Sequence, residues 1–315
     1  MAGLITGTAT AVPEQADAGG APRKARGTRQ GPGTVRAFRA TPFTYATLII
    51  VAAILTMPLV FVASIALSSD ATVNTNSFTL FPSEFHWENF TRVFGTELPM
   101  GRFLINSVII SLCSVAGQML SSGLVGYAFA RLRAPGKNAL FLIVIATMMI
   151  PTQITMIPQF ILFRDLGWVN TYLPLIVPNF FSNAFNVFLV RQFVSRLPSQ
   201  LDEAAMVDGL GFFGIYRRIM FPMLRPVLIA IGIFTLTYTW GEFMGPLIYL
   251  NDESKMPLSL GVQYITSTSS AGQSPPWNLV MVGSILLAVP MIIVYYLGQK
   301  YLYEMDISGG SAGVK

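Results

Sequence analysis

The chain has 315 residues, 53% of them apolar and only 11% charged. Soluble domains carry charge on about a quarter of their residues, so this composition excludes an ordinary soluble fold and makes lipid the main solvent. The net charge of +5 would suit an anionic partner such as nucleic acid, but the basic residues gather on one side of the membrane reading below. Cys113 and His86 are the only residues of their kinds, which excludes an internal disulfide, a cysteine cluster and histidine-based metal chemistry, so no metal site is expected.

In chain order, residues 1–43 form a basic tail rich in Ala, Gly, Thr, Pro and Arg, without an apolar run, and are expected to be disordered. They lack the apolar core of a cleaved signal peptide. Arg23, Lys24 and their basic neighbours suit weak contact with anionic lipid heads. From residue 44 to 315 a single transmembrane domain is expected, because several apolar runs exceed the roughly 20 residues a helix needs to cross a bilayer core. A first span reads over about 44–68, with Pro58 as a candidate kink. The polar stretch 69–102 contains FHWENFTRVFG, an amphipathic interfacial piece that clusters Phe85, Trp87, Phe90, Val93 and Phe94. The second span, about 103–130, places Gly117 and Ser121, then Ser122 and Gly126, four residues apart, a spacing that lets helices approach closely in lipid. Cys113 lies in this span, where a small packing residue is expected.

The third span, about 139–163, is interrupted by Pro151 and Pro158, with Thr152, Gln153, Thr155 and Gln159 nearby. Broken, polar helices at membrane depth face protein or a water-filled cavity. The fourth, about 172–190, carries Asn179, Asn183 and Asn186 at spacings of four and three, which places them on one helix face. Such a stripe either lines a solute path or serves as glue between helices. The fifth, about 226–250, contains Glu242; a carboxylate at that depth is costly unless paired or wetted, which makes it a candidate for a structural or gating role, with direct solute contact as the other reading. Residues 251–278 read as a polar connector, and the sixth span covers about 279–302.

Between the fourth and fifth spans lies a polar loop, 196–226. Ser199 and Asp202 mark a helix start, since a hydroxyl and a carboxylate can accept from orphan backbone N–H groups. A short helix fits Leu201 to Val207, and Gly209 stops it by accepting the left-handed conformation. A second short helix fits Phe212 to Met220 and is closed by Pro222. Ala204 and Ala205 have almost no side chain, so this helix can lie close against another surface. The run EAAMVDGLG, with Ile219 and Pro222 beyond it, resembles the EAA loop of permease subunits of ATP-binding-cassette (ABC) importers. The match covers Glu203, Ala204, Ala205, Asp208, Gly209, Ile219 and Pro222, and departs from the common pattern at Leu210 and Gly211, where alanine and serine are more usual. FHWENF before the second span, WGEF around Glu242 with Gly241 in place of asparagine, and the terminal GGSAGVK resemble the carbohydrate-uptake branch of that family.

The resemblance implies an all-α integral membrane fold of six transmembrane helices, with a cytoplasmic coupling-helix loop at 196–222 between spans 4 and 5. It implies a bacterial plasma (inner) membrane location and an assembly with a second, related permease subunit, two ATP-binding-cassette ATPase subunits and an extracytoplasmic solute-binding protein. ATP and Mg would be bound by the ATPase partners, and this chain would need no cofactor of its own. The implied solutes are oligosaccharides, monosaccharides or glycerol phosphates.

The charge distribution gives an orientation by a separate route. Of the 20 basic residues, Arg92, Arg102, Arg164 and Lys255 fall on one side of a six-span reading and the other 16 on the side that holds both termini and the 196–226 loop. The basic side is expected to be cytoplasmic. No GxxxxGK[ST] phosphate loop, GxSxG element or HExxH pair occurs, so no catalytic residue and no ATP hydrolysis by this chain are expected. Other readings are an ABC permease for a non-sugar solute, a stand-alone ion-coupled transporter using Glu242, and an intramembrane lipid-modifying enzyme. The ion-coupled reading has one deep acidic residue and no evident inverted repeat behind it; the enzyme reading lacks a nucleophile and base.

Overall fold

The computed structural model describes residues 41–74, 81–82, 84–95, 98–267 and 274–310, with side chains as far as Leu302. The tail through residue 40 and the glycine-rich end from Ser311, both read above, lie outside the described residues. The chain divides between Ala52 and Ala53 into two units. The first is described from Thr41 and consists of the opening turns of helix α1 (Pro42–Ala66), which continues into the second.

The described residues are helical or irregular throughout. Four stretches are long and apolar enough to cross a membrane: α1, α4 (Met100–Arg131), Leu173–Ser195 and Trp277–Leu302. Before α4 come two single-turn helices, α2 (Asp70–Asn74) and α3 (Glu88–Arg92). Next, α5 (Lys137–Thr147) and α6 (Thr152–Asp165) meet at 99°. Pro151 stands in extended conformation at their joint, which follows from the bias of proline neighbourhoods away from helix. Pro158 does not interrupt: it lies inside an unbroken α6. One missing N–H within a helix is tolerated where the flanking turns hold.

The fourth span is not the single helix its asparagine spacing suggests. It runs as α7 (Leu173–Ile176), a 3₁₀ turn (Val177–Phe181), a local break at Ser182 with φ of 63°, and α8 (Ala184–Ser195). Asn179, Asn183 and Asn186 therefore do not share one continuous helix face. The loop that follows holds α9 (Gln200–Val207), α10 (Phe212–Ile215), a π turn (Tyr216–Met220) and α11 (Phe221–Met223). Helical backbone runs without a break from Phe212 to Met223, so Pro222 lies in the last turn of the second loop helix, and the chain then turns by 74° into α12 (Arg225–Gly241).

The 17 residues of α12 span about 26 Å, short of a bilayer core. The chain breaks at Glu242 and resumes as α13 (Met244–Tyr249). The supposed polar connector hides α14 (Leu258–Ser267), which buries Leu258, Leu260 and Ile265. Asn106 and Ser107 of α4 tie its start. Asn106 Nδ2 donates to the Ser254 and Met256 carbonyls at 3.0 and 2.9 Å, and Ser107 Oγ accepts from the Leu258 N–H at 2.7 Å. The last helix, α15 (Trp277–Gly310), completes the order.

Two apolar clusters form the core, one toward each end of α4. Met100 and Phe103 join Trp240, Leu258 and Leu279 in the first. Tyr127 joins Val190, Ala205, Ile215, Leu224 and Leu228 in the second. The small residues of α4 let the fourth span approach between them. A Cβ on Gly117 would stand 2.7 Å from the Phe180 ring, and one on Gly126 would stand 2.5 Å from Val190 Cβ. Large apolar side chains of α1, α5 and α6, such as Leu55, Leu142 and Ile154, face outward, as lipid or a membrane partner would require. Cys113 is exposed rather than packed.

Candidate functional site

Two places gather the residues singled out in the sequence. The first is the loop surface around α9. Ser199 precedes the helix, but its hydroxyl caps nothing, and Asp202 turns inward instead. The Asp202 Oδ2 lies 2.8 Å from Arg131 Nε at the end of α4, and both side chains are largely buried. Arg131 also donates from Nη2 to the Leu197 carbonyl at 2.7 Å. The helix is thus tied to α4 by charge and, through buried Ala205, to the second cluster by packing.

Its end is a Schellman motif. Gly209, at φ of 83°, donates to the Met206 carbonyl, and Leu210 donates to the Ala205 carbonyl, both at 3.0 Å. Glu203, Ala204, Asp208 and Gly209 are left exposed, Ile219 is half-buried against the second cluster, and Pro222 is exposed. A Cβ on Gly209 would meet nothing within 4 Å. Beside these residues lie Val207, 88% exposed, and Phe213, 67% exposed. Large apolar side chains this bare, on a loop rimmed by charge, have the character of a docking surface.

The second place is a cavity of about 550 Å³ among α4, α6, the 3₁₀ turn, the end of α12 and α13. Thr152, Gln153 and Gln159 reach it from α6, Asn179 from the turn, and Glu242 from the break after α12. Asn183 and Asn186 do not. Asn183 accepts from the Asn186 N–H at 2.9 Å and so caps α8. Asn186 Nδ2 donates to Gln118 Oε1 at 3.2 Å, and Gln118 Nε2 donates to Asn179 Oδ1 at 3.3 Å. Ser122 and Ser182 share a 2.7 Å bond at the break. The asparagines are chiefly glue between α4 and the broken fourth span, and Asn179 alone also presents to the cavity. Glu242 caps α13: its two carboxylate oxygens accept from the Gly245 N–H at 2.9 and 3.0 Å, and its carbonyl accepts from Ser259 Oγ at 2.7 Å. Its partners are therefore neutral donors rather than a cation. Among the described residues no group of three acidic, histidine or cysteine side chains is placed to hold a metal ion.

The family model for the binding-protein-dependent transport system inner membrane component matches residues 122–304. The chain belongs to this family. As a binding-protein-dependent permease it is a multi-pass, all-helical membrane protein of an ABC importer, and the reading of a stand-alone ion-coupled transporter is not supported. The polygalacturonan/rhamnogalacturonan transport system permease protein YtcP of Bacillus subtilis (strain 168) is 29% identical to this permease over 280 residues, 85% of this chain and 96% of that one. The arabinooligosaccharides transport system permease protein AraQ of Halalkalibacterium halodurans is 33% identical over 240 residues, 76% of this chain and 84% of that one. A crystal structure of a bacterial ABC transporter involved in the import of the acidic polysaccharide alginate contains a chain with the same fold, at a TM-score of 0.73 and 24% identity, covering 86% of this permease and 99% of that chain.

The sequence reading missed Val207 and Phe213, whose signal was present as apolar residues on the outer side of two polar helices. It also missed Tyr238 and Tyr249, which line the cavity. Their placement depends on the break at Glu242, which a continuous apolar pattern conceals.

Proposed function

We propose that this chain is the membrane-spanning permease subunit of an ATP-driven carbohydrate importer in a bacterial plasma membrane, and that the loop at 196–222 is its coupling element. In this reading residues 44–315 form one permease domain of six spans, counting each bent pair as one. Both termini and the loop face the cytoplasm. The α9–Gly209–α10 surface seats in a cleft of an ATPase subunit. A second, related permease, two ATPase subunits and an extracytoplasmic solute-binding protein complete the assembly. Relatives named for polygalacturonan/rhamnogalacturonan and for arabinooligosaccharides support a carbohydrate as solute. ATP binding by the partners favours one state of the helix bundle and hydrolysis releases it, so the solute cavity changes the side to which it opens by a shift of populations.

The observation that carries this reading is the combination of a rigid anchor with a bare apolar face. Asp202 ties α9 to Arg131 at the end of α4 and buried Ala205 packs into the second cluster, while Val207 and Phe213 are exposed. A force applied to that face would pass through these two attachments into the bundle rather than dissipate in a flexible loop.

The test is co-purification and uptake by the complete importer carrying Val207→Glu or Phe213→Glu. Val207 is almost fully exposed and Phe213 meets the core only through the Tyr216 ring, at 6.4 Å between centroids, so chain yield and helix content should change little. Loss of an interface anchor costs about 2 kcal/mol or more, so ATPase retention and ATP-driven uptake should fall at least about tenfold. Unchanged ATPase retention and uptake in both variants would remove the coupling role from this surface.

A further inference from the structure

The wall that this chain gives to the cavity carries a selectivity of its own. Its polar side chains are amides, hydroxyls and phenols, with one carboxylate, Glu242; among the described residues no lysine or arginine lines it. The amides of Gln153 and Gln159 are exposed and make no hydrogen bond within the described residues. Each offers two donors and an acceptor to a hydroxylated guest. Tyr238 presents an exposed ring with a polar tip, and the Tyr249 ring is fixed by stacking on Phe160 and by edge contact with Phe163, at centroid distances of 6.1 and 5.5 Å. Apolar ring bodies beside hydroxyls and amides suit a molecule whose own surface alternates C–H and O–H.

An anion finds no counter-charge on this wall. Three of the four basic residues on the sparsely basic side are already matched by acids. Arg92 meets Asp70 at 3.2 Å, Arg164 meets Asp165 at 2.8 Å and Lys255 meets Asp252 at 3.5 Å. The fourth, Arg102, does not line the cavity. A carboxylate or phosphate entering the cavity would lose water and face the Glu242 carboxylate, and both effects oppose entry.

We infer that this permease passes uncharged, hydroxyl-rich oligosaccharides and excludes uronates and sugar phosphates, a restriction that rests on the carbohydrate-importer reading above. The experiment uses the complete importer, with its own binding protein, in liposomes. Uptake is measured for labelled digests of starch, arabinan and xylan and for digests of polygalacturonate and alginate, together with a sugar phosphate. Uptake of the neutral digests should exceed that of the anionic probes by about tenfold or more, because like-charge juxtaposition in a desolvated site costs several kcal/mol. Gln153→Lys and Gln159→Lys, with the same binding protein, should each raise the anionic-to-neutral ratio by about threefold or more, since they supply the missing counter-charge. Anionic probes that move as well as neutral ones, or lysine variants that leave the ratio unchanged, would overturn the assignment. ATPase that co-purifies but responds to no carbohydrate of either class would instead refute the carbohydrate reading, and the restriction with it.

Discussion

At the scale of single residues, Asp202 carries the tension of the loop. Its carboxylate sits in a nearly dry pocket, and its approach to Arg131 Nε is a close charge contact rather than a directed hydrogen bond. Burial pushes its pKa above the usual aspartate range, the Arg131 charge pulls it down, and neighbouring Glu203 pushes it up again. The sign of the stability effect follows from linkage. With its folded value raised, the folded state holds the proton more tightly than the unfolded chain does. The contribution is therefore fully present below the usual aspartate range and is lost as pH climbs through the raised value. Asp202→Asn removes that titration. Unfolding midpoints of the wild-type and Asp202→Asn importer, followed from pH 4 to pH 8, should shift in favour of the variant as pH rises. Parallel curves would mean that the carboxylate does not titrate above its ordinary range.

At the scale of elements, the packing of α4 on the fourth span decides what tolerates change. A Cβ on Gly126 would strike Val190 Cβ at 2.5 Å and the Val187 carbonyl at 3.1 Å, both parts of α8 that cannot swing away. One on Gly117 would strike only the Phe180 ring, whose side chain is half-exposed and can rotate. Overpacking a close helix contact costs about 1–3 kcal/mol. Gly126→Ala should therefore lower the thermal midpoint and the yield of folded chain clearly more than Gly117→Ala, and equal losses would place the tight contact elsewhere. The small-residue spacing that predicts this contact was legible in the sequence, as were the apolar runs and the turn at Gly209. The break at Ser182 was not, because periodicity counts residue types and cannot register an interruption of the helix. No glycine announces that break, and it is stabilised from a distance by the bond between Ser122 and Ser182. Helix α14 escaped for a different reason: LSLGVQYITS is amphipathic but only ten residues long, and it lies between polar segments; its apolar face is buried against Phe103 of α4 and against α15. Pro222 marks the end of the second loop helix to within a residue, since the helical run reaches Met223 before the chain bends.

At the scale of the whole molecule, charge and packing have to agree on which end faces the ATPase. The side with 16 of the 20 basic residues includes Arg131, Arg196 and the exposed pair Arg217 and Arg218, and it is the end built around the second cluster. The other end holds Arg92, Arg102, Arg164 and Lys255, together with a knot in which Asn89 and Asn278 donate to the Ser68 carbonyl at 2.9 and 3.3 Å and Asn278 donates to Asp70 Oδ1 at 2.7 Å. On the proposed topology, retention of Lys and Arg in the cytoplasm would orient the first end inward. The single cysteine makes this directly measurable. Cys113 is exposed and forms no bond that folding depends on, so Cys113→Ser provides a cysteine-free background. Into it go, separately, Glu84→Cys, on the exposed surface of the first end's opposite number, and Glu203→Cys, on the exposed face of α9. A membrane-impermeant maleimide added to intact cells should label Glu84→Cys and leave Glu203→Cys unlabelled until the membrane is permeabilised. The reverse pattern would turn the molecule over and put Val207 and Phe213 out of reach of any cytoplasmic ATPase. Labelling of both positions in intact cells would break the six-span count, since an even number of crossings between residues 84 and 203 is what that pattern requires.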